Sequence, residues 1–276
     1  MTIAVRLIPL VLSIALMSPA LARADTLTLL SATSVKETGL MDVLLDSYRK
    51  WTHLKNIKVE AVSLPSAKAF ETAMRGEADV LFVHDRDKEE KFMDEGYGYE
   101  RHEVMYDDHV LIGPASDPAK IKSAVNPAVA FRRICYYGAP FITRGESSET
   151  YTLENRLWRA ANLSCALVKG MVTVNKGMAD ALKAADEKGA YILADKATYL
   201  AFRDSVKGLA ILYECDSVLL DQYSVIAVNP AKFPNIRYRQ ALDFIKFITG
   251  PAGQTVIARF RDGHGNPLFF PNAKKQ

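Results

Sequence analysis

Several things this sequence lacks narrow what it can do. It has almost no net charge to offer a polyanion. Its 35 lysines and arginines stand against 32 aspartates and glutamates, and leaving out Arg6 and Arg23 near the N-terminus reduces the excess to +1. A nucleic-acid surface needs clustered positive charge, so that class of partner is excluded. Cysteines number three, Cys135, Cys165 and Cys215, too few and too odd for a disulfide scaffold. Cys135–Cys165 is the pair closest in sequence if an oxidising compartment joins two of them, and the other reading is three small buried thiols. The five histidines form no HExxH or short-spaced pair, and His102 and His109 stand seven apart around Tyr106. There is no G-x-S-x-G elbow, phosphate-binding loop or dinucleotide fingerprint. The neighbours Asp107 and Asp108 point to opposite faces if they lie on a strand, which argues against an acid–base pair. No metal, cofactor or catalytic set is therefore expected. Beyond the N-terminus no apolar run reaches the roughly 20 residues of a membrane span, and there are no repeats.

The first 24 residues read as a cleavable signal peptide. Arg6 gives the positive start, 7–17 an apolar stretch, Ser18-Pro19 a break and Ala22-Arg23-Ala24 a cleavage site. Export, with cleavage after Ala24, is the expectation. The rest of the chain is long enough for one large core or two lobes, and strand and helix patterns alternate along it. Short apolar runs at 26–30, 57–62, 79–83, 109–112, 191–193, 209–213 and 225–228 predict strands. Apolar residues at helical spacing predict helices at 39–51, 67–75, 88–95, 149–161, 178–188, 198–204 and 237–249, the last stopped by Gly250-Pro251. This alternation points to parallel sheets in an α/β architecture.

Two strand-to-helix junctions carry the chemistry. Ser31-Ala32-Thr33-Ser34 precedes the first helix, where Ser34 and Glu37 also match a helix capping box. Thr143-Arg144-Gly145-Glu146-Ser147-Ser148-Glu149-Thr150 sets one guanidinium among hydroxyls before another helix. Free N–H groups at a helix start attract anions, hydroxyls add neutral donors, and arginine supplies a fork suited to oxyanions. Together they point to a small oxyanion held between lobes.

Further segments lie in order along the chain: Gly76-Glu77-Ala78-Asp79-Val80-Leu81-Phe82-Val83-His84, Val104-Met105-Tyr106-Asp107-Asp108, Ala139-Pro140-Phe141-Ile142-Thr143-Arg144-Gly145, Tyr191-Ile192-Leu193-Ala194-Asp195, Val228-Asn229-Pro230 and Pro267-Leu268-Phe269-Phe270-Pro271. With the Ser31–Ser34 loop, they make the sequence resemble the tungstate-binding receptors of bacterial ABC importers, within the phosphate-receptor-like periplasmic binding proteins. The resemblance implies a two-lobed α/β fold of the second periplasmic-binding-protein type, with two crossover strands and a ligand cleft. It places residues 25–110 with 226–276 in one discontinuous lobe and 111–225 in the other, with crossings near 109–114 and 223–229. It also implies a monomer in the periplasm that delivers a tungstate- or molybdate-like oxyanion to a membrane permease. The residues expected at the ligand are Thr33, Ser34, Arg144, Ser147, Ser148 and Thr150 from the matching loops, with Ser63 and Lys176 from loops that differ.

Three loops depart from the family pattern. Glu149 stands where the family has a glycine, Ser63-Leu64-Pro65 replaces a Gly-Thr-Gly loop, and Val174-Asn175-Lys176-Gly177-Met178 alters a third, where Lys176 restores a positive charge. A carboxylate aimed at a dianion at about 4 Å costs around 4 kcal/mol per charge pair at an effective dielectric near 20; at a helix start Glu149 equally fits a solvent-facing place. A receptor or sensor for a different small solute on the same fold is the alternative, and an exported enzyme the third reading.

Overall fold

The computed structural model describes residues 26–52, 58–146, 148–163 and 170–274. The expected signal segment, Ser147 and Cys165 lie outside the described residues, and so does any test of the Cys135–Cys165 pairing. Cys135 and Cys215 have no disulfide partner among the described residues.

A first sheet starts from three parallel strands, with β1 (Thr26–Ser31) between β2 (Lys58–Ser63) and β3 (Val80–Val83). β3 is apolar at every position and β1 at Leu27, Leu29 and Leu30, with helices covering both faces, as expected of central strands. Leu27, Leu29, Val80 and Phe82 pack with one helix layer; Leu30, Leu81 and Val83 pack with the other. After β1 comes the single-turn α1 (Thr33–Glu37), then α2 (Leu40–Trp51), separated by Gly39 at φ +86°. Leu40, Met41, Leu44, Leu45 and Tyr48 give α2 one buried face. α3 (Ser66–Met74) and α4 (Arg86–Asp94) follow β2 and β3.

β4 (Gly98–Pro114) is 17 residues long and serves two sheets. Its first part, to Asp108, pairs antiparallel with β9 (Leu220–Val228); from His109 onward it pairs with β7 (Tyr191–Asp195) and β8 (Leu209–Tyr213). In the second sheet β5 (Phe141–Thr143) lies parallel to both β7 and β6 (Met171–Thr173). Its helices are α5 (Pro127–Tyr136), α6 (Glu149–Ala160), α7 (Met178–Lys188) and α8 (Lys196–Phe202). Phe131, Phe141 and Trp158 centre that core, the Phe131 and Trp158 rings edge-to-face at 4.4 Å. The chain ends on the first sheet with α9 (Tyr238–Thr249), α10 (Pro251–Arg259) and β10 (Phe270–Pro271), which returns to β4. The strand order is β2-β1-β3-β9-β4-β7-β5-β6.

Four details differ from the sequence reading. The second crossing was placed at 223–229, but β9 is paired inside the first sheet along its whole length, to β4 on one side and β3 on the other. The chain therefore returns earlier, through 214–219, where the Asp216 side chain accepts the Val218 N–H. β9 also makes the first sheet mixed rather than purely parallel. The strand expected at 109–112 is far longer. Gly250-Pro251 does not end the helical region: Gly250 closes α9 and opens α10, with Pro251 in the first turn, where its missing N–H costs nothing.

Candidate functional site

The carboxyl ends of the parallel strands face one another across the junction of the two sheets. β1 ends at Ser31, β2 at Ser63, β3 just before His84, and β5 just before Arg144. In open α/β sheets this edge is where ligands bind. α1 packs against α7 and α8 across the junction, so both sheets contribute to one buried site.

From the first sheet come hydroxyls. In-register pairing of β1 with β2 brings Ser31 Oγ to 3.1 Å from Ser63 Oγ. Ser34 does not cap a helix as its sequence allowed. α1 begins at Thr33 with Ala32 in the cap position, so Ser34 sits inside the helix, and its Oγ bonds the Tyr223 hydroxyl at 2.9 Å. Thr33 is half-buried beside it. The Tyr223 ring stacks on His84, with centroids 4.3 Å apart and planes within 5°.

His84 joins the two sheets. Its Nδ1 lies 2.8 Å from both oxygens of Asp221, and its Nε2 2.8 Å from Glu149 Oε1. Glu149 Oε2 accepts from Ser66 Oγ, the first residue of α3, at 3.0 Å. Glu149 is thus not on a solvent-facing turn but 8 % exposed, inside the junction. Burial works against charge on His84, but Asp221 and then Glu149 outweigh it and hold the imidazole well above its ordinary 6.5. Burial likewise pushes Glu149 up. The His84 charge, the His84 bond, its own backbone N–H and Arg144 outweigh that and hold it far below 4.5. The charged pair is therefore the stable form.

Arg144 is 4 % exposed and its Nε has no partner; the Oγ of Ser148, at the start of α6, is also buried without one. Gly145, at φ +73°, turns the chain from Arg144 toward that helix start, and Thr150 is buried in the helix's first turn. The Arg144 charge acts on two carboxylates, Glu149 and Glu37. Glu37, in place of the expected capping box, crosses the junction and accepts the Ala179 N–H of α7 at 3.3 Å. Burial raises its carboxyl above 4.5, opposed by that N–H and by Arg144.

The structure thus brings Ser34, Ser63, Arg144, Ser148, Thr150 and half-buried Thr33 to the two sides of one junction. Lys176 is exposed on the loop before α7, and the contact made there with the first sheet is the Ala179 N–H of α7 itself. Asp221, Tyr223, Ser66 and Glu37 were missed as site residues. A cavity of about 370 Å³ borders His84, Glu149, Asp221 and His109, and neither ring nitrogen of buried His109 makes a hydrogen bond, Nδ1 lying 4.0 Å from Asp221 Oδ2. Among the described residues no three His, Cys, Asp or Glu side chains are grouped to hold a metal ion.

Two mixed sheets sharing one long strand, with a polar site at their junction, define a two-lobed binding protein. A family model described as "PBP superfamily domain" matches residues 19–252, and the chain belongs to that superfamily. It is 39 % identical over 255 residues to the tungstate-binding protein TupA of Peptoclostridium acidaminophilum, covering 91 % of this chain and 87 % of that one. It is also 39 % identical over 252 residues to a putative ABC transporter anion-binding protein of Haloferax volcanii, covering 90 % and 72 %. Among solved structures it is similar to the tungstate binding protein TupA from Desulfovibrio alaskensis G20, with a TM-score of 0.74 and 34 % identity over 90 % of this chain and 99 % of that one.

Proposed function

We propose that this protein is a periplasmic solute-binding protein that captures a tetrahedral oxyanion of the tungstate or molybdate kind and delivers it to the permease of an ABC importer. The observation that carries the reading is Arg144, a buried guanidinium with an open N–H, four residues before the buried, open hydroxyl of Ser148 at the start of a three-turn helix. Such a helix start presents backbone N–H groups and a positive dipole end, and a buried guanidinium with an N–H left open gains when an anion accepts from it. Ser34, Thr33 and Ser63 offer neutral hydroxyls from the facing sheet, and Thr150 adds another from α6. The anion-binding and tungstate-binding names of the relatives support the same ligand class. The first 24 residues act as the export signal, cleaved after Ala24, and the mature protein works as a monomer.

No bond of the solute is made or broken, so function reduces to affinity and closure. Hinge movement of one sheet against the other, along β4 and the 214–219 return, admits and encloses the solute. A ligand that binds only the folded state raises stability by RT ln(1 + [L]/Kd). Thermal-shift and calorimetric titrations with tungstate, molybdate, sulfate and phosphate therefore rank the candidates directly. Tungstate and molybdate are expected to raise the melting temperature at micromolar concentration; no shift with any of the four at millimolar concentration refutes the reading. Arg144→Ala is expected to abolish binding while the protein stays folded.

A further inference from the structure

The relatives' names account for an anion but not for a carboxylate of the chain itself in the same junction. Glu149 is the first residue of α6, next to Ser148 and within the field of Arg144. It therefore stands at the positive end of α6. Its two oxygens reach into the opposite sheet, one to His84 Nε2 at 2.8 Å and the other to Ser66 Oγ at the start of α3, at 3.0 Å. One carboxylate thus bonds donors of the first sheet from a helix of the second. A closed-cleft solute makes the same kind of bridge. His84 is braced for it by Asp221 behind and the Tyr223 ring against its face.

We infer that Glu149 is a built-in competitor of the solute: its carboxylate latches the two sheets together when no oxyanion is bound, and an entering oxyanion must displace it or share its field. This rests on the oxyanion reading for the identity of the competitor, but not for the latch. Two consequences follow from the geometry. Removing the negative charge frees the start of α6 and Arg144 for the solute, which tightens binding. It also releases the second sheet from Ser66 and His84, so the solute-free protein opens. Both changes favour capture, because a latched protein must first open to admit anything.

The test compares full-length mature wild type with Glu149→Gln, Glu149→Gly and Ser66→Ala. Solute-free dimensions are read by small-angle scattering, and tungstate affinity by calorimetry. Wild type is expected to be as compact without tungstate as with it. Glu149→Gln and Glu149→Gly are expected to expand without tungstate, contract on its addition, and bind it at least tenfold more tightly. Ser66→Ala, which removes one latch bond and no charge, is expected to expand partly. Unchanged solute-free dimensions in both Glu149 variants, or a tungstate Kd within twofold of wild type, overturn the proposal. Failure of every variant and of wild type to bind any oxyanion overturns the ligand reading alone, since the solute-free dimensions still decide the latch.

Discussion

Glu154 shows how a single buried group props the site from behind. Its Oε1 accepts the Trp158 Nε1–H at 3.0 Å, and the Thr143 hydroxyl, one residue before Arg144, also bonds it. Burial pushes its carboxyl from 4.5 up to about 7. A carboxyl raised in the fold favours the folded state while protonated, so its contribution is complete below about 4.5 and lost as pH rises through 7. At about 1.4 kcal/mol for each tenfold change in proton affinity, that loss is on the order of 3 kcal/mol. Glu154→Gln is therefore expected to flatten the decline in urea-unfolding stability between pH 5 and pH 8; an unaltered slope assigns it to other groups. At this scale the sequence was readable in setting Ser34 and Arg144 close to helix starts, although the capping pattern at Ser34 does not form. It was not readable where a partner lies far away: His84 and Asp221 are 137 positions apart and meet only because β9 inserts beside β3. The exposure of Lys176 was not readable for a related reason, since a charge in a loop says nothing about which way the loop turns.

At the level of elements, α1 and α7 are tied by one carboxylate. Gly177 caps α7, and Glu37 comes so close that a β-carbon at Gly177 would lie 1.5 Å from Glu37 Oε1. Gly177→Ala is expected to push Glu37 off the helix start and cost about 1 kcal/mol, the usual worth of an N-terminal cap. For a chain of this size that is a fall of roughly 2–4 °C in melting temperature; no fall would mean that Glu37 does not cap α7 in solution. Helices with a clean apolar face, such as α2 and α9, were legible from spacing alone. The first half of β4 was not, because Glu100, Arg101, His102 and Glu103 interrupt any apolar alternation there. Those residues form a strand because β9 supplies a partner along them, a tertiary cause that local pattern does not carry. α10 was hidden by Gly250-Pro251, two residues that start a helix as readily as they stop one.

For the whole molecule, the junction sets a pH window. Glu149, held low, contributes fully above about 4.5, and its contribution is lost as pH falls toward its depressed value. His84, held high, contributes fully below about 6.5, and its contribution is lost as pH rises through its raised value. The groups facing His84 are Asp221, Glu149 and the Tyr223 ring, with Glu89 acting at longer range and His109 close to Asp221. The link between the sheets is thus expected to be strongest from about pH 4.5 to 6.5 and to weaken on the alkaline side. Melting curves of wild type against pH check this: the alkaline limb should become shallower in Glu149→Gln, which leaves His84 only Asp221. The general architecture was legible at this scale because the alternation of elements and the collinear motifs extend over most of the chain. The point at which the chain returns between sheets was not, because only strand partners define it.

The insertion of β9 between β3 and β4 also governs the order in which the molecule can be built. A chain made from its N-terminus delivers β1, β2 and β3 first, yet β3 has no neighbour on its second side until the late residues of β9 arrive. The second sheet, from His109 to Tyr213, is continuous in sequence and can complete itself earlier. Until then the nascent first sheet presents the edge of an apolar strand, the kind of edge that recruits other chains. Synthesis from the N-terminus therefore leaves the first sheet dependent on the segment from β9 onward, or on a holding chaperone, to avoid aggregation. Truncation between Tyr213 and Leu220 is expected to leave a folded second sheet attached to an adhesive, unfinished first one.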